Sequence, residues 1–388
     1  MTLAHPSGPM TRTTYLDHNA TTPLLPEAAA AMTEALATAG NASSVHRFGR
    51  LARRKIEAAR AAVAALAGAR PEGVIFTSGG TEANNLALAG TGRTRLLVSA
   101  GEHDSILNAA PGAVRIPLTG EGLVAPAALD ARLGESSVPA LVSIMLANNE
   151  TGAIQPLAEL THVARTHGAL VHCDAIQAAG KLPLDLDGLG IDLMSLSAHK
   201  LGGPQGVGAL VLAADLEFAP CQRGGGQERG RRAGTENLPG IAGFGAAAQA
   251  AVAGLGKAAA LARLRDDLER RLCELAPEIR IFAAAAPRLA NTCCFAAPGL
   301  SAETQVIALD LAGVAVSAGS ACSSGKVAPS HVLAAMGASA AEATAAIRVS
   351  LGWTSEAADI EHFLEAWGAL YSRGAGDATA TSAVASVA

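Results

Sequence analysis

Between about residues 50 and 260, short runs of Val, Ile and Leu alternate with alanine-rich stretches of helical character. That rhythm predicts a mostly parallel sheet whose strands are joined by helices. VIFTS (74 to 78), RLLVSA (95 to 100), ALVSIMLA (140 to 147), ALVHCDA (169 to 175) and LMSLSA (193 to 198) read as strands. Each ends in polar or glycine-rich sequence. Ligands of open parallel sheets gather beyond the carboxyl ends of the strands, so chemistry is expected there.

A long helix is predicted from about 241 to 276, alanine-rich at first and charged in LARLRDDLERRL. Beyond it the pattern changes. RIFAAA, TCCFAA and VAVSAG read as strands of a smaller α+β unit, closed by helices near 330 to 336 and 356 to 372. The final GAGDATATSAVASVA has no helical or strand period and reads as a disordered tail.

Bulk composition narrows the function. The 388 residues are 50% hydrophobic, enough for a large core, while 16% are charged and the net charge is -5. No basic field points to nucleic acid or an anionic membrane, which favours a small-molecule task. The six cysteines have no CxxC spacing and are too sparse for a disulfide framework, which implies a reducing cytoplasm. Residues 1 to 12 lack the apolar core of a secretion signal, and Met10 is an alternative start. No apolar run reaches transmembrane length without Gly or charge breaking it, so a soluble protein is expected.

The strand ends carry candidate chemistry. In FTSGGTEANN (76 to 85) a strand turns through Gly80 and Thr81 into a helix, so free N–H groups and the helix dipole favour an anion there, unless the glycines serve geometry alone. The GKS/T ending of a Walker loop is absent. HCDAIQAAGK (172 to 181) sets Asp174 at a strand end with Gln177 three residues on, and SLSAHKLGGPQGVGAL (195 to 210) brings out Ser197, His199 and Lys200 together. A lysine beside a hydroxyl, an imidazole and glycines suits a Schiff-base amine next to a phosphate ester. Taken singly, Asp174 reads as a cap and Lys200 as a solvated surface lysine; together with Thr81 they read as a site.

GEHDSIL (101 to 107) sets His103 where an imbedded flat ring would meet an imidazole, and LANNETG (146 to 152) sets Asn149 past the next strand. A helix cap and a tight turn are their plainer readings. RGGGQERGRRAGTENL (223 to 238) has the composition of an anion-binding loop, with Thr235 as a phosphate donor toward a partner subunit, or of an ordinary surface loop. SAGSACSSGK (317 to 326) surrounds Cys322 with Ser, Ala and Gly only, a composition that cannot pack a core and reads as a mobile loop presenting a thiol. Cys293 and Cys294 read as strand residues that cannot both face inward, and Cys173 and Cys273 as packing.

YLDHNATTP, FTSGGTEANN, NNETG, HCDAIQA, SAHK, GGGQERGRRAGTEN, SAGSACSSG and AIRVSLG follow one another from about residue 15 to 370. In this order the chain resembles the cysteine desulfurases of the NifS and IscS type, within the class V aminotransferases. The resemblance implies an α/β fold of the fold-type I class of pyridoxal-phosphate-dependent transferases. Its large domain spans 22 to 258; its small domain comprises 14 to 21 and 259 to 373 and carries the cysteine loop, with 1 to 13 and 374 to 388 as flexible tails.

It further implies a homodimer that binds pyridoxal 5'-phosphate. Lys200 would carry the cofactor as a Schiff base and His103 would stack on its ring and shuttle protons. Asp174 would pair with the ring nitrogen and Gln177 with the ring oxygen, Asn149 lying near that oxygen and the substrate. Gly80, Thr81, Ser197 and His199 match phosphate-binding positions, Thr235 contributing from the other subunit. Arg348 matches the arginine that grips the carboxylate of L-cysteine, as a guanidinium fork is suited to do. Cys322 would receive the sulfur as a persulfide, serve as a transient iron–sulfur ligand, and deliver the sulfur to a scaffold or other acceptor protein.

Ala42 and Gln205 stand where the family more often has proline and lysine, and the C-terminal tail differs from the IscS terminus linked to scaffold docking. The 223 to 238 loop leans toward the NifS side and its nitrogen-fixation role. A selenocysteine lyase or a small-amino-acid aminotransferase is the rival reaction on this scaffold, though a transaminase needs no thiol like Cys322. A non-catalytic binding module would need none of Lys200, Asp174, Cys322 and Arg348.

Overall fold

The structure, a computed structural model, describes residues 13–213, 216–318 and 329–385, with side chains through residue 373. Seven strands form the main sheet in the order Val74–Thr77, Gly208–Leu212, Leu193–Ser197, Leu170–Asp174, Ala140–Ser143, Arg95–Ser99, Val114–Ile116. Five neighbours run parallel, while Gly208–Leu212 is antiparallel to both strands beside it. All five strands read from the sequence are present. Val114–Ile116 and Gly208–Leu212 were not anticipated: the first is short, and the glycines around the second hide its apolar run.

Both faces of this sheet are covered, which is why its strands are apolar without strict alternation. Leu97, Val142, Val171 and Leu196 pack with Ile56, Val63 and Phe244 on one side. Val98, Leu141, Leu193 and Leu210 pack with Leu86 and Ile106 on the other. Among the polar groups buried in the sheet is His172, whose imidazole bridges Ser143 Oγ and Ser195 Oγ at 2.9 Å each across three adjacent strands. Burial pushes its pKa down to about 3, so it is a neutral strut.

The helix predicted over 241 to 276 is two helices, Leu238–Gly254 and Ala258–Leu275, joined by a 3-10 turn at Leu255–Lys257. Gly254 and Gly256 weaken the helix at that point. By length and composition alone Leu238–Leu275 would suffice to cross a membrane. Its first half is instead core: Phe244 and Ala247 are fully buried, and a Cβ added at Gly245 would lie 2.7 Å from the Ala59 Cα.

The second sheet has the antiparallel order Ser317–Ala318, Ala346–Ser350, Thr292–Ala296, Arg280–Ile281. Here Cys293 and Cys294 depart from expectation, since both are buried. Their strand is covered on both faces: Cys293 points into a core with Leu16 and Trp367, Cys294 into another with Val332 and Met336. Cys273, read as packing, is exposed. The residues read as a disordered tail continue the closing helix, Ala357–Ala385, in a stretch where alanine recurs and no proline interrupts.

One N-terminal segment stitches the two sheets together. Thr14–Tyr15 pairs in parallel with Val314–Ala315, and Asp17 bridges to Ser350. The chain then crosses to the main sheet, where the Thr22 N–H donates to His199 O at 2.9 Å and the Leu25 N–H to Gly202 O at 2.9 Å.

Candidate active site

Between the carboxyl ends of the main-sheet strands and the second sheet lies a cleft of about 560 Å3. Gly80, Thr81, His103, Asn149, Asp174, Gln177, Ser197, His199, Lys200 and Arg348 all line it.

The helix Gly80–Gly90 starts at the mouth of its strand. Its first N–H groups have no intrahelical acceptor. A Cβ added at Gly80 would come within 2.3 Å of Ile176 Cδ1, so glycine lets this helix start sit against the ends of the next strands. Behind it Glu82 accepts from the Ser78 N–H at 2.7 Å and from Arg232 at 2.8 and 3.1 Å. Ser197 faces the same place, and its buried Oγ has no hydrogen-bond partner among the described residues. An orphaned hydroxyl beside free amide N–H groups is a site made for an anion.

Asp174 closes its strand with both carboxylate oxygens bonded, Oδ1 accepting from the Ile176 N–H at 3.0 Å and Oδ2 from Asn84 Nδ2 at 2.8 Å. It is buried and presents a fixed negative charge to the cleft. His103 caps the helix Asp104–Leu107: its Nδ1 accepts from the Ser105 N–H at 3.1 Å and meets Ser105 Oγ at 2.8 Å. With Nδ1 accepting, the neutral ring carries its hydrogen on Nε2.

Lys200 Nζ donates to the carbonyls of Asn19 at 2.5 Å and Ala20 at 2.7 Å. Burial, then the Arg348 charge, pushes its pKa down to about 8, with Asp17 and Asp174 pulling the other way. Burial and Lys200 together push His199 down to about 4, leaving it neutral, and its Nδ1 meets Thr21 Oγ1 at 3.2 Å. Arg348 reaches in from Ala346–Ser350, donating from Nη1 to Asn149 O at 3.0 Å and from Nη2 to Asp17 Oδ1 at 2.7 Å. Its buried Nε has no partner among the described residues.

Thr235 does not join the cleft of its own chain. It is exposed beside a separate pocket of about 140 Å3 lined by Ser78, Arg232 and Glu236. Cys322 lies outside the described residues, but both flanks of its segment reach the cleft: Ser317 lines it and donates from Oγ to Asp17 Oδ2 at 3.0 Å, and Pro329 and His331 line it on the return. Ser330 Oγ donates to Glu150 Oε2 at 2.6 Å. Burial pushes Glu150 up to about 7 against the pull of Ser330 and Arg348.

Several contributors went unremarked in the sequence although they stand in quoted motifs: Asp17 and Asn19 in YLDHNATTP, Asn84 in FTSGGTEANN, Glu150 in NNETG and Lys181 ending HCDAIQAAGK. Asn19 is the hub. Its carbonyl accepts from Lys200 and, at 2.9 Å, from Gln177 Nε2, while its Nδ2 donates to Asn149 O at 3.2 Å and Thr292 Oγ1 at 2.9 Å.

An α/β fold whose main sheet is covered on both faces, with a lysine, an aspartate and an anion cradle at the strand ends, defines a class, and comparison with known proteins agrees: the aminotransferase class-V model matches residues 14–363, and the chain belongs to that family. Within it, curated relatives include cysteine desulfurases. The chain is 44% identical over 370 residues to an IscS-like cysteine desulfurase of Mycobacterium tuberculosis, covering 90% of this chain and 94% of that one. It is 45% identical over 366 residues to a cysteine desulfurase of Cereibacter sphaeroides, with coverage of 90% and 94%. Among solved structures, a NifS-like protein from Rickettsia africae superposes with a TM-score of 0.87 at 35% identity, covering 93% of this chain and all of that one. SspA in complex with cysteine superposes with a TM-score of 0.76 at 30% identity, covering 87% of this chain and 99% of that one.

Proposed function

We propose that this protein is a pyridoxal-phosphate-dependent cysteine desulfurase that converts L-cysteine to L-alanine and takes the sulfur onto Cys322 as a persulfide. The observation that carries the reading is the convergence of Lys200, Asp174, His103 and Arg348 on one cleft that is also reached by both flanks of the Cys322 segment. The solved complex of SspA with cysteine supports the choice of substrate.

The cleft fits the cofactor. The orphaned Ser197 hydroxyl, the Gly80 and Thr81 N–H groups and His199 suit its phosphate; Asp174 suits the ring nitrogen, Gln177 and Asn149 the ring oxygen, and His103 the ring face. When bound, the cofactor supplies a sink for the electron pair released at the substrate α-carbon.

The chain's own residues do the rest. Arg348, held by Asp17 and the Asn149 carbonyl, binds the substrate carboxylate. Lys200, with its amine partly neutral near pH 8, is the nucleophile that holds the cofactor and, once released, moves the α-proton at Nζ. His103, its Nδ1 engaged by Ser105, leaves Nε2 for the cleft, the ring nitrogen through which it would exchange protons with the substrate. Cys322, as thiolate, attacks the substrate sulfur; an S–S bond forms as the C–S bond breaks, the electron pair staying with carbon.

Thr235, exposed in its own chain, is read as a phosphate ligand for a second copy, making the enzyme a homodimer. The setting is the cytoplasm and the sulfur acceptor an iron–sulfur scaffold or other acceptor protein, with Cys322 a transient cluster ligand. Alanine and sulfide formed from L-cysteine with reductant, in wild type and Cys322→Ser, test the reading. Loss of both products in the variant is expected; undiminished turnover sinks the persulfide step.

A further inference from the structure

Lys181 has no part in the roles above, yet it is bonded to two residues that do. It follows the strand Leu170–Asp174 through a tight turn in which the Lys181 N–H donates to Ala178 O at 2.9 Å. That turn puts it four residues after Gln177 and on the same side. Its Nζ donates to Gln177 Oε1 at 2.9 Å and to Asn19 Oδ1 at 3.1 Å.

Both partners are oxygens, so charged or neutral the amine acts here only as a donor. The Gln177 oxygen is therefore committed to Lys181, and its NH2 group must face the other way. It does: Nε2 donates to Asn19 O at 2.9 Å, the same carbonyl that takes Lys200 Nζ at 2.5 Å. One asparagine thus joins the two lysines, Lys200 at its carbonyl and Lys181 at its side chain.

The two amines also feel each other. Burial, then the charges of Lys200 and Arg348, pushes Lys181 down to about 7. Lys200 holds its proton to higher pH than Lys181, so it is the charge on Lys200 that acts on Lys181. The remaining groups around the pair are Asp17 and Asp174, which favour charge on Lys200, and His18 and His199, which are held neutral at about 4 by burial first.

We infer that Lys181 is a positioning residue for the cofactor site, holding the Gln177 amide with its oxygen toward Lys181 and its NH2 free for the ring oxygen. The inference rests on the reading of Lys200 as the cofactor's lysine. A ring oxygen that meets an amide NH2 keeps its negative charge; one that meets an amide oxygen is driven to take a proton.

The test is a pH titration of the visible absorbance of the full-length holoenzyme. Lys181→Met frees the Gln177 amide to turn its oxygen to the ring, and is expected to raise the midpoint of the Lys200-dependent band by ~1 pH unit. Lys181→Arg, which keeps both charge and donors, should stay within a few tenths of wild type. If the methionine variant does not fold, Lys181→Ala removes the donor and reads the same midpoint. A folded variant that lacks the donor and has an unmoved midpoint overturns the inference alone. A wild-type protein whose band survives Lys200→Ala overturns the reading beneath it as well.

Discussion

Arg348 Nη2 and Asp17 Oδ1 lie 2.7 Å apart at the wall of the cleft, a nearly buried ion pair whose side chains are 5% and 17% exposed. The pair fixes one arm of the guanidinium, the Asn149 carbonyl fixes another, and the unpartnered Nε is left over. An arginine so held is pre-oriented for a carboxylate and loses little freedom on binding one.

Arg348→Lys keeps the charge and loses the fork. The KM for L-cysteine should rise by about tenfold or more, with kcat changing less, in steady-state alanine formation. An equal fall in kcat at constant KM would place Arg348 elsewhere in the reaction.

Ser197→Ala removes a hydroxyl that no described protein group satisfies. Stability of the cofactor-free chain should hold or rise, since an unmade buried hydrogen bond is a cost. Cofactor dissociation, followed by absorbance on dilution, should become about tenfold easier, the worth of one bond to a charged phosphate.

Arg60 and Glu228, 3% and 2% exposed, form a buried pair at 2.8 Å that pins the 223 to 238 loop to the sheet, Glu228 also accepting from the Phe76 N–H at 3.0 Å. Glu228→Ala leaves the buried Arg60 guanidinium with only the Val74 carbonyl and the more exposed Glu57 carboxylate as partners, and should cost about 3 kcal/mol in denaturant unfolding. Arg60→Met with Glu228→Gln removes the charges together and should recover most of that loss.

Glu150 gives stability a pH dependence of known sign. Its folded pKa, about 7, stands above the ordinary glutamate value of 4.5, so the folded state holds a proton that the unfolded state has released. Its contribution is full below the unfolded value and is lost as pH rises toward and through 7. Compared with Glu150→Gln, the wild type should lose ground between about pH 5 and 8 and level off above, in urea midpoints taken across that range.

The polar strand ends were legible because each motif is local: Asp174, Gln177, His199 and Lys200 follow their apolar runs within a few residues. Contacts between distant segments were not. Nothing in YLDHNATTP tells that Asp17 meets Arg348 or that Asn19 takes Lys200, since those pairings are set by how two sheets dock. Cys294 was misjudged for a related reason, because a strand reads as one-faced until the layer on its second face is known. The break at Leu255–Lys257 was within reach, as two glycines mark it.

The stitch from Thr14 to Thr22 has a consequence for synthesis on the ribosome. Its partners are among the last parts of the chain to emerge: Asp17 waits for Arg348, 331 residues later. The main sheet has all its strands by Leu212 and can collapse early, but the cleft must stay open until the tunnel releases the final strand and helix. A ribosome stalled before residue 346 would hold a folded layer with no grip for a carboxylate, so such a nascent chain is inert toward its amino acid until translation is nearly done.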